Sequence, residues 1–256
     1  MTEPHPDAPA PVALVTGAAR RIGAAIARRL HADGYDLVLH YRGSAQAMQA
    51  LADALNAARP DSVLTLQAEL ADFDRLPELV ARTVGHYGRL DALVNNASAF
   101  FPTTFGTTTP AQWDALFAAN ARAPFFLAQA AAPHLRASGG AIVNLADIYA
   151  ERPLRDHAVY GMSKAALVHM TRALALELAP DVRVNAVAPG AILWPEPDEH
   201  GDGKDEVAKA AMLARTPLGR IGTPEEIAEA VRWLLRDARY TTGQVIRVDG
   251  GRMLED

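Results

Sequence analysis

The chain has 256 residues, 50% hydrophobic and 21% charged, enough to bury a large core in one or two domains. Thirty acidic against twenty-five basic side chains give a formal net charge of −5 with no basic run, so a nucleic-acid partner is not expected. The absence of cysteine excludes a disulfide framework, a thiolate metal site and a cysteine nucleophile, and fits a reducing, cytoplasmic setting; no metal is expected.

Residues 1–11 carry four prolines and lack the positive start and apolar centre of a secretory signal, so they read as a mobile tail. The rest, 12–256, reads as one domain. Short β-rich apolar runs at 12–16, 36–40, 63–67, 92–95, 141–145, 182–188 and 244–248 alternate with helical patterns at 22–33, 45–58, 76–87, 111–137, 160–178 and 224–236. Strict alternation predicts an α/β, Rossmann-type doubly wound fold, a seven-stranded parallel sheet with helices on both faces. Thr223-Pro224-Glu225-Glu226 reads as N-cap, N1 proline and acidic first turn, and Gly139-Gly140 as the stop of the long helix, which Pro124 and Pro133 kink or split. The Pro-, Asp- and Glu-rich stretch 194–204, which includes Trp194, reads as a loop or lid. No segment reads as membrane-spanning: residues 92–113 lack charge, yet they carry Asn95, Asn96 and a run of threonines.

The first strand runs into Thr16-Gly17-Ala18-Ala19-Arg20-Arg21-Ile22-Gly23 and then a helix. Gly17 allows a tight turn and Gly23 a close backbone approach, while the helix offers its unpaired N–H groups to a pyrophosphate. A carboxylate at the end of the second strand would select NAD, and none lies between Asp36 and Asp53. His40-Tyr41-Arg42-Gly43-Ser44 stands there instead, and with Arg21 it can surround a 2′-phosphate, so the expected cofactor is NADPH/NADP.

Tyr160 and Lys164 stand at i and i+4 on one predicted helix face. An ammonium beside a phenol lowers its pKa and makes it a proton donor. Of three lysines against twenty-two arginines, Lys164 alone precedes residue 204, which argues that an ammonium is needed there.

With Thr16-Gly17…Gly23, Asn95-Asn96-Ala97-Ser98, Asn120, Tyr160…Lys164, Pro189-Gly190 and Val248-Asp249-Gly250-Gly251 in this order, the chain resembles the short-chain dehydrogenase/reductase family from residue 12 on. The resemblance implies that Tyr160 is the acid/base, that Lys164 holds the nicotinamide ribose, that Asn120 supports a proton relay, and that Pro189 and Gly190 lie near the nicotinamide. It also implies cofactor contacts from Asn96, Ala97 and Ser98. Glu69, followed by Leu70, stands where the family usually has an aspartate near the adenine.

Thirteen residues before the tyrosine, where the family usually has a catalytic serine, this chain has Asp147. An ionised carboxylate cannot donate to a ketone, and it raises a neighbouring phenol's pKa; such a site suits protonation of a basic nitrogen. The arrangement resembles the pteridine reductases, in which an aspartate, a tyrosine and a lysine form the reacting set. That branch implies a pterin or folate-type substrate bonded by Ser98 and stacked by Phe100. His157, three residues before Tyr160, is either a pocket residue or a solvated one. The family implies a homotetramer. The alternatives are a carbonyl reductase, such as a 3-oxoacyl-thioester reductase, and a non-catalytic NADP-binding sensor.

Overall fold

The computed structural model describes residues 9–192 and 206–254. The expected tail lies outside these residues as far as position 8, and the expected loop at 194–204 lies outside them altogether. Pro11 is already tied in, its carbonyl accepting from Asp36 N at 2.9 Å.

Seven strands form one parallel sheet: β1 (Val12–Val15), β2 (Asp36–Tyr41), β3 (Val63–Gln67), β4 (Ala92–Asn95), β5 (Ala141–Leu145), β6 (Arg183–Pro189) and β7 (Val245–Val248). Their order is β3-β2-β1-β4-β5-β6-β7. The winding reverses between β1 and β4, which opens a crevice at the carboxyl ends of those two strands, the usual ligand position in such sheets.

Strand alternation divides the core. In β1, Ala13 and Val15 pack with Ile26 and Leu30 of α1 (Arg21–Ala32) and with Val231 and Leu234 of α8 (Pro224–Arg236). Leu14 faces the opposite layer, with Leu79 of α3 (Leu76–Tyr87), Leu127 and Leu135 of α5 (Ala123–Ser138) and Leu174 of α6 (Ala158–Leu178). The near-continuous apolar runs that predicted the strands are thus consumed by two helical layers. α2 (Ala45–Ala58) covers the β2 side through Met48 and Leu51.

Punctuation follows chemistry. Thr223 and Glu226 form a reciprocal capping box at α8, and Gly139 ends α5 in the left-handed region at φ +63°. The helix expected over 111–137 is divided into α4 (Pro110–Phe117), a π turn (Ala118–Arg122) and α5. Pro124 explains the place: it has no N–H for the Asn120 carbonyl, and the turn widens so that Ala123 N donates to Ala118 O. Pro133 lies inside α5 without ending it. A further helix, α7 (Glu206–Ala214), has no counterpart in the elements expected from sequence.

Candidate active site

The turn after β1 is fastened from three sides. Thr16 Oγ1 accepts from Asn96 N and Ala97 N, both at 3.0 Å, while Asn96 Nδ2 donates to the carbonyls of Thr16 and Gly17 at 2.9 and 3.0 Å. His40, buried at the end of β2, accepts from Gly17 N on Nδ1 at 3.2 Å, so its Nε2 carries the proton given to Ala68 O at 3.1 Å. Burial lowers its pKa and keeps this neutral tautomer. His40 stands in the motif quoted from sequence, but its structural task was not legible there.

Gly17 has φ +63°, and a Cβ on it would lie 2.9 Å from Ala97 Cα. At Gly23 a Cβ would lie 2.2 Å from the Gly17 carbonyl and 2.7 Å from Asn96 Nδ2. The close approach expected of Gly23 is therefore made to the chain's own turn. No side chain caps the N-terminus of α1, and its first turn holds no acid. Arg21, the first residue of α1, is held at φ +52°, where glycine would be unstrained.

The 2′-phosphate group expected from sequence is only partly assembled as foreseen. Arg20, not Arg21, reaches Ser44, donating from Nε and Nη2 at 3.1 and 2.8 Å. Arg42 is exposed and lies 3.8 Å from Glu69 Oε2. Arg21 faces away along the crevice and lines both of the cavities that meet there, with Ile22, Asn96, Ser98 and Phe100. Its neighbour one position earlier was missed because two consecutive arginines leave a turn in different directions, which spacing alone does not reveal. Glu69 and Leu70 border the same outer cavity.

The inner cavity, about 490 Å³, lies within the size range of small-molecule sites and gathers Asp147, Tyr160, Lys164, Pro189 and Gly190. Asp147 follows β5, Tyr160 sits in the first turn of α6, and Lys164 stands one turn on. The Tyr160 hydroxyl donates to Asp147 Oδ2 at 2.6 Å, and Tyr149 N donates to Oδ1 at 2.9 Å. Lys164 Nζ donates to Leu145 O at 2.8 Å and lies 5.9 Å from the Tyr160 ring centre. Behind them the Asn120 carboxamide, carried on the π turn, donates to Ser163 Oγ at 2.9 Å and to Ala99 O at 3.0 Å, and accepts from Ala99 N and Ser98 Oγ.

Electrostatics correct one expectation. Lys164 was expected to lower the Tyr160 pKa, but burial first and the Asp147 carboxylate second push it well above the ordinary tyrosine value. Burial raises the Asp147 carboxyl and lowers Lys164 to about 8. Together they hold Tyr160 as a neutral phenol.

Phe100 is half-exposed, stacked on His157 with ring centres 4.7 Å apart and planes 18° apart, and edge-on to Tyr160 at 4.7 Å. His157, left open by the sequence, thus forms the outer backing of a pocket wall.

A family profile described as enoyl-(acyl carrier protein) reductase matches residues 17–252. The chain belongs to the short-chain dehydrogenase/reductase family. It is an oxidoreductase of that family, whose members use a nicotinamide dinucleotide. The short-chain dehydrogenase/reductase relatives divide in name. Pteridine reductase 1 of Leishmania tarentolae is 38% identical, covering 96% of this chain and 97% of its own. A Streptomyces violaceoruber chain named as ketoacyl reductase 2 of the granaticin polyketide synthase is 42% identical, covering 97% and 98%. The 3-oxoacyl-[acyl-carrier-protein] reductase of Staphylococcus aureus is 36% identical, covering 93% and 96%. The residues present fit the family's cofactor: an uncapped helix start, a glycine turn against Ala97 and Arg20 bonded to Ser44 lead along one crevice to Pro189-Gly190.

Proposed function

We propose that this protein is an NADPH-dependent reductase of pterins, dihydropterins or related folate-type compounds. The observation that carries the reading is the 2.6 Å bond from the Tyr160 phenol to the Asp147 carboxylate inside the cavity bordered by Phe100. When bound, the dinucleotide supplies a hydride to the carbon of a ring C=N bond. Tyr160 gives its proton to the adjacent nitrogen, so the bond becomes CH–NH. Because burial raises Asp147, this carboxyl holds a proton more readily than an exposed aspartate, and the short bond is the route by which Tyr160 is recharged.

Lys164 orients the nicotinamide ribose and offsets negative charge on the phenol and carboxylate, and Asn120 links the site to a proton relay. Gly17, Ile22, Gly23, Asn96, Ala97 and Ser98 bind the dinucleotide backbone, with Leu70 and Glu69 toward the adenine and Pro189-Gly190 beside the nicotinamide. Arg42 and Ser44, joined by Arg20 in the place expected of Arg21, select NADPH by surrounding the 2′-phosphate. Ser98 and Phe100 hold the flat substrate. We further propose one catalytic domain from residue 12 on, working as a cytoplasmic homotetramer.

The second reading, reduction of a 3-oxoacyl thioester, is favoured by the ketoacyl reductase relatives. Asp147 counts against it, since it stands where the family's donor serine stands and its two oxygens accept from Tyr160 and Tyr149 instead of donating toward a developing oxyanion. NADPH consumption with dihydrobiopterin, biopterin, dihydrofolate and a 3-oxoacyl thioester, compared side by side, decides between them. Asp147→Ser is expected to lower pterin turnover about a hundredfold, the scale of a lost acid/base partner. Faster turnover of the thioester than of every pterin by the unsubstituted protein would overturn the pterin reading.

A further inference from the structure

We infer that Arg252 anchors an anionic substituent of the substrate, a carboxylate or phosphate carried at the end remote from the reduced ring. The inference deepens the pterin reading and rests on it for the choice of substrate. Arg252 lines the same cavity as Asp147, Tyr149 and Tyr160, together with Met212 of α7. It opens the short helical turn Arg252–Leu254 at the end of the chain, after β7.

That turn is built to hold its position. Asp249 receives Gly251 N on Oδ1 and Met253 N on Oδ2, both at 2.9 Å. Gly250 and Gly251 have φ of +64° and +84°, and a Cβ on either would come within 2.9 Å of Thr216 or Pro217. The terminal Asp-Gly-Gly therefore docks the chain end against the segment after α7 and fixes where Arg252 starts.

Two other guanidinium-bearing residues meet it there from distant parts of the chain. Arg152 Nη1 donates to the Arg252 carbonyl at 3.0 Å, and Arg252 Nη1 donates to the Arg215 carbonyl at 3.2 Å. Among the described residues no carboxylate pairs with Arg252. Asp249 is spent on backbone N–H groups, Glu151 pairs with Arg247, and Asp147 is spent on Tyr160 and Tyr149. Burial first and Arg152 next press the Arg252 pKa below the ordinary value, with Tyr149 opposing and Arg215 adding to the shift. An anion at the cavity rim relieves this repulsion, and a guanidinium can meet a carboxylate or phosphate with two parallel hydrogen bonds.

The anion has two sources, a glutamate tail on a folate-type ring or the phosphate of a pantetheine-type thioester, and paired substrates separate them. Dihydrofolate is compared with dihydrobiopterin, which lacks the carboxylates, and a 3-oxoacyl coenzyme A with its uncharged N-acetylcysteamine analogue. Arg252→Gln is expected to lower kcat/KM for the charged member about tenfold or more, through KM, and for the neutral member far less. Arg252→Lys is expected to restore part of the loss, and matched melting temperatures exclude a folding defect. Equal losses for charged and neutral members, or no preference of the unsubstituted protein for the charged member of either pair, would overturn the inference. If only thioesters turn over, the pterin reading fails while the thioester pair still decides the role of Arg252.

Discussion

Asp147 and Lys164 bring opposite charges to one phenol, and their burial decides the balance. Lys164 is 2% exposed and titrates at about 8, against 10.5 for an ordinary lysine. Below about pH 8 both native and unfolded chains carry this proton, and the native protein bears the full cost of a buried ammonium. Between about 8 and 10.5 the native protein sheds a proton that the unfolded chain keeps, so this cost shrinks as pH rises. Lys164→Met is accordingly expected to lose activity yet melt a few degrees higher than the unsubstituted protein at pH 7, the shift that about 1–2 kcal/mol gives in a chain of this size. The difference should close toward pH 10.5, and a variant that melts lower at pH 7 would refute the account. At the other end of the crevice, Arg20→Ala and Arg42→Ala should each raise the KM for NADPH about tenfold with little change for NADH, since each removes a charge-assisted contact. Arg21→Ala should leave the NADPH-to-NADH ratio nearly unchanged; a collapse of that ratio would return the phosphate to Arg21.

At the scale of elements, glycine in the first turn of α1 is a packing requirement. Gly23→Ala places a methyl 2.2 Å from the Gly17 carbonyl, a backbone atom that cannot swing aside. It should cost about 3 kcal/mol and cofactor binding together, the upper range for overpacking. Thr223→Ala removes the capping box at the start of α8 and should cost about 1 kcal/mol with cofactor affinity unchanged. Denaturant melts and cofactor titration of the two variants separate a turn that serves the site from a cap that serves only the fold. Elements were legible where a local signal dominates. All seven strands were announced by apolar runs between turn residues, and α8 by its capping box. The division of the helix at Ala118–Arg122 was less so, because two prolines mark the sequence, each lacking the N–H of a helical bond, and the turn widens only before Pro124. α7 follows a Pro- and Asp-rich stretch that masks where a pattern begins. At the site, Tyr160 and Lys164 were visible as spacing, and Asp147 through the family resemblance. The Arg20–Ser44 contact and the His40 linkage depend on side-chain direction across neighbouring strands, which no spacing encodes.

Taken as a whole, the molecule brings chemistry to the carboxyl end of its sheet from segments far apart in sequence. Residues near positions 20, 42, 96, 147, 160, 190 and 252 border one continuous crevice. Ligand binding should therefore be felt globally: NADPH is expected to raise the melting temperature more than NADH at equal concentration, by the ratio of their affinities, and equal shifts would count against 2′-phosphate selection. The positive φ at Arg21 gives the same crevice a history that can be read by selection. A non-glycine residue in the left-handed region costs about 1 kcal/mol, so Arg21→Gly is expected to make the folded protein more stable and, because the Arg21 side chain lines both cavities of the crevice, to lower turnover. A library screened for heat resistance alone should converge on glycine at position 21, and one screened for turnover should retain arginine. This single backbone angle makes thermostability and activity competing objectives in this chain.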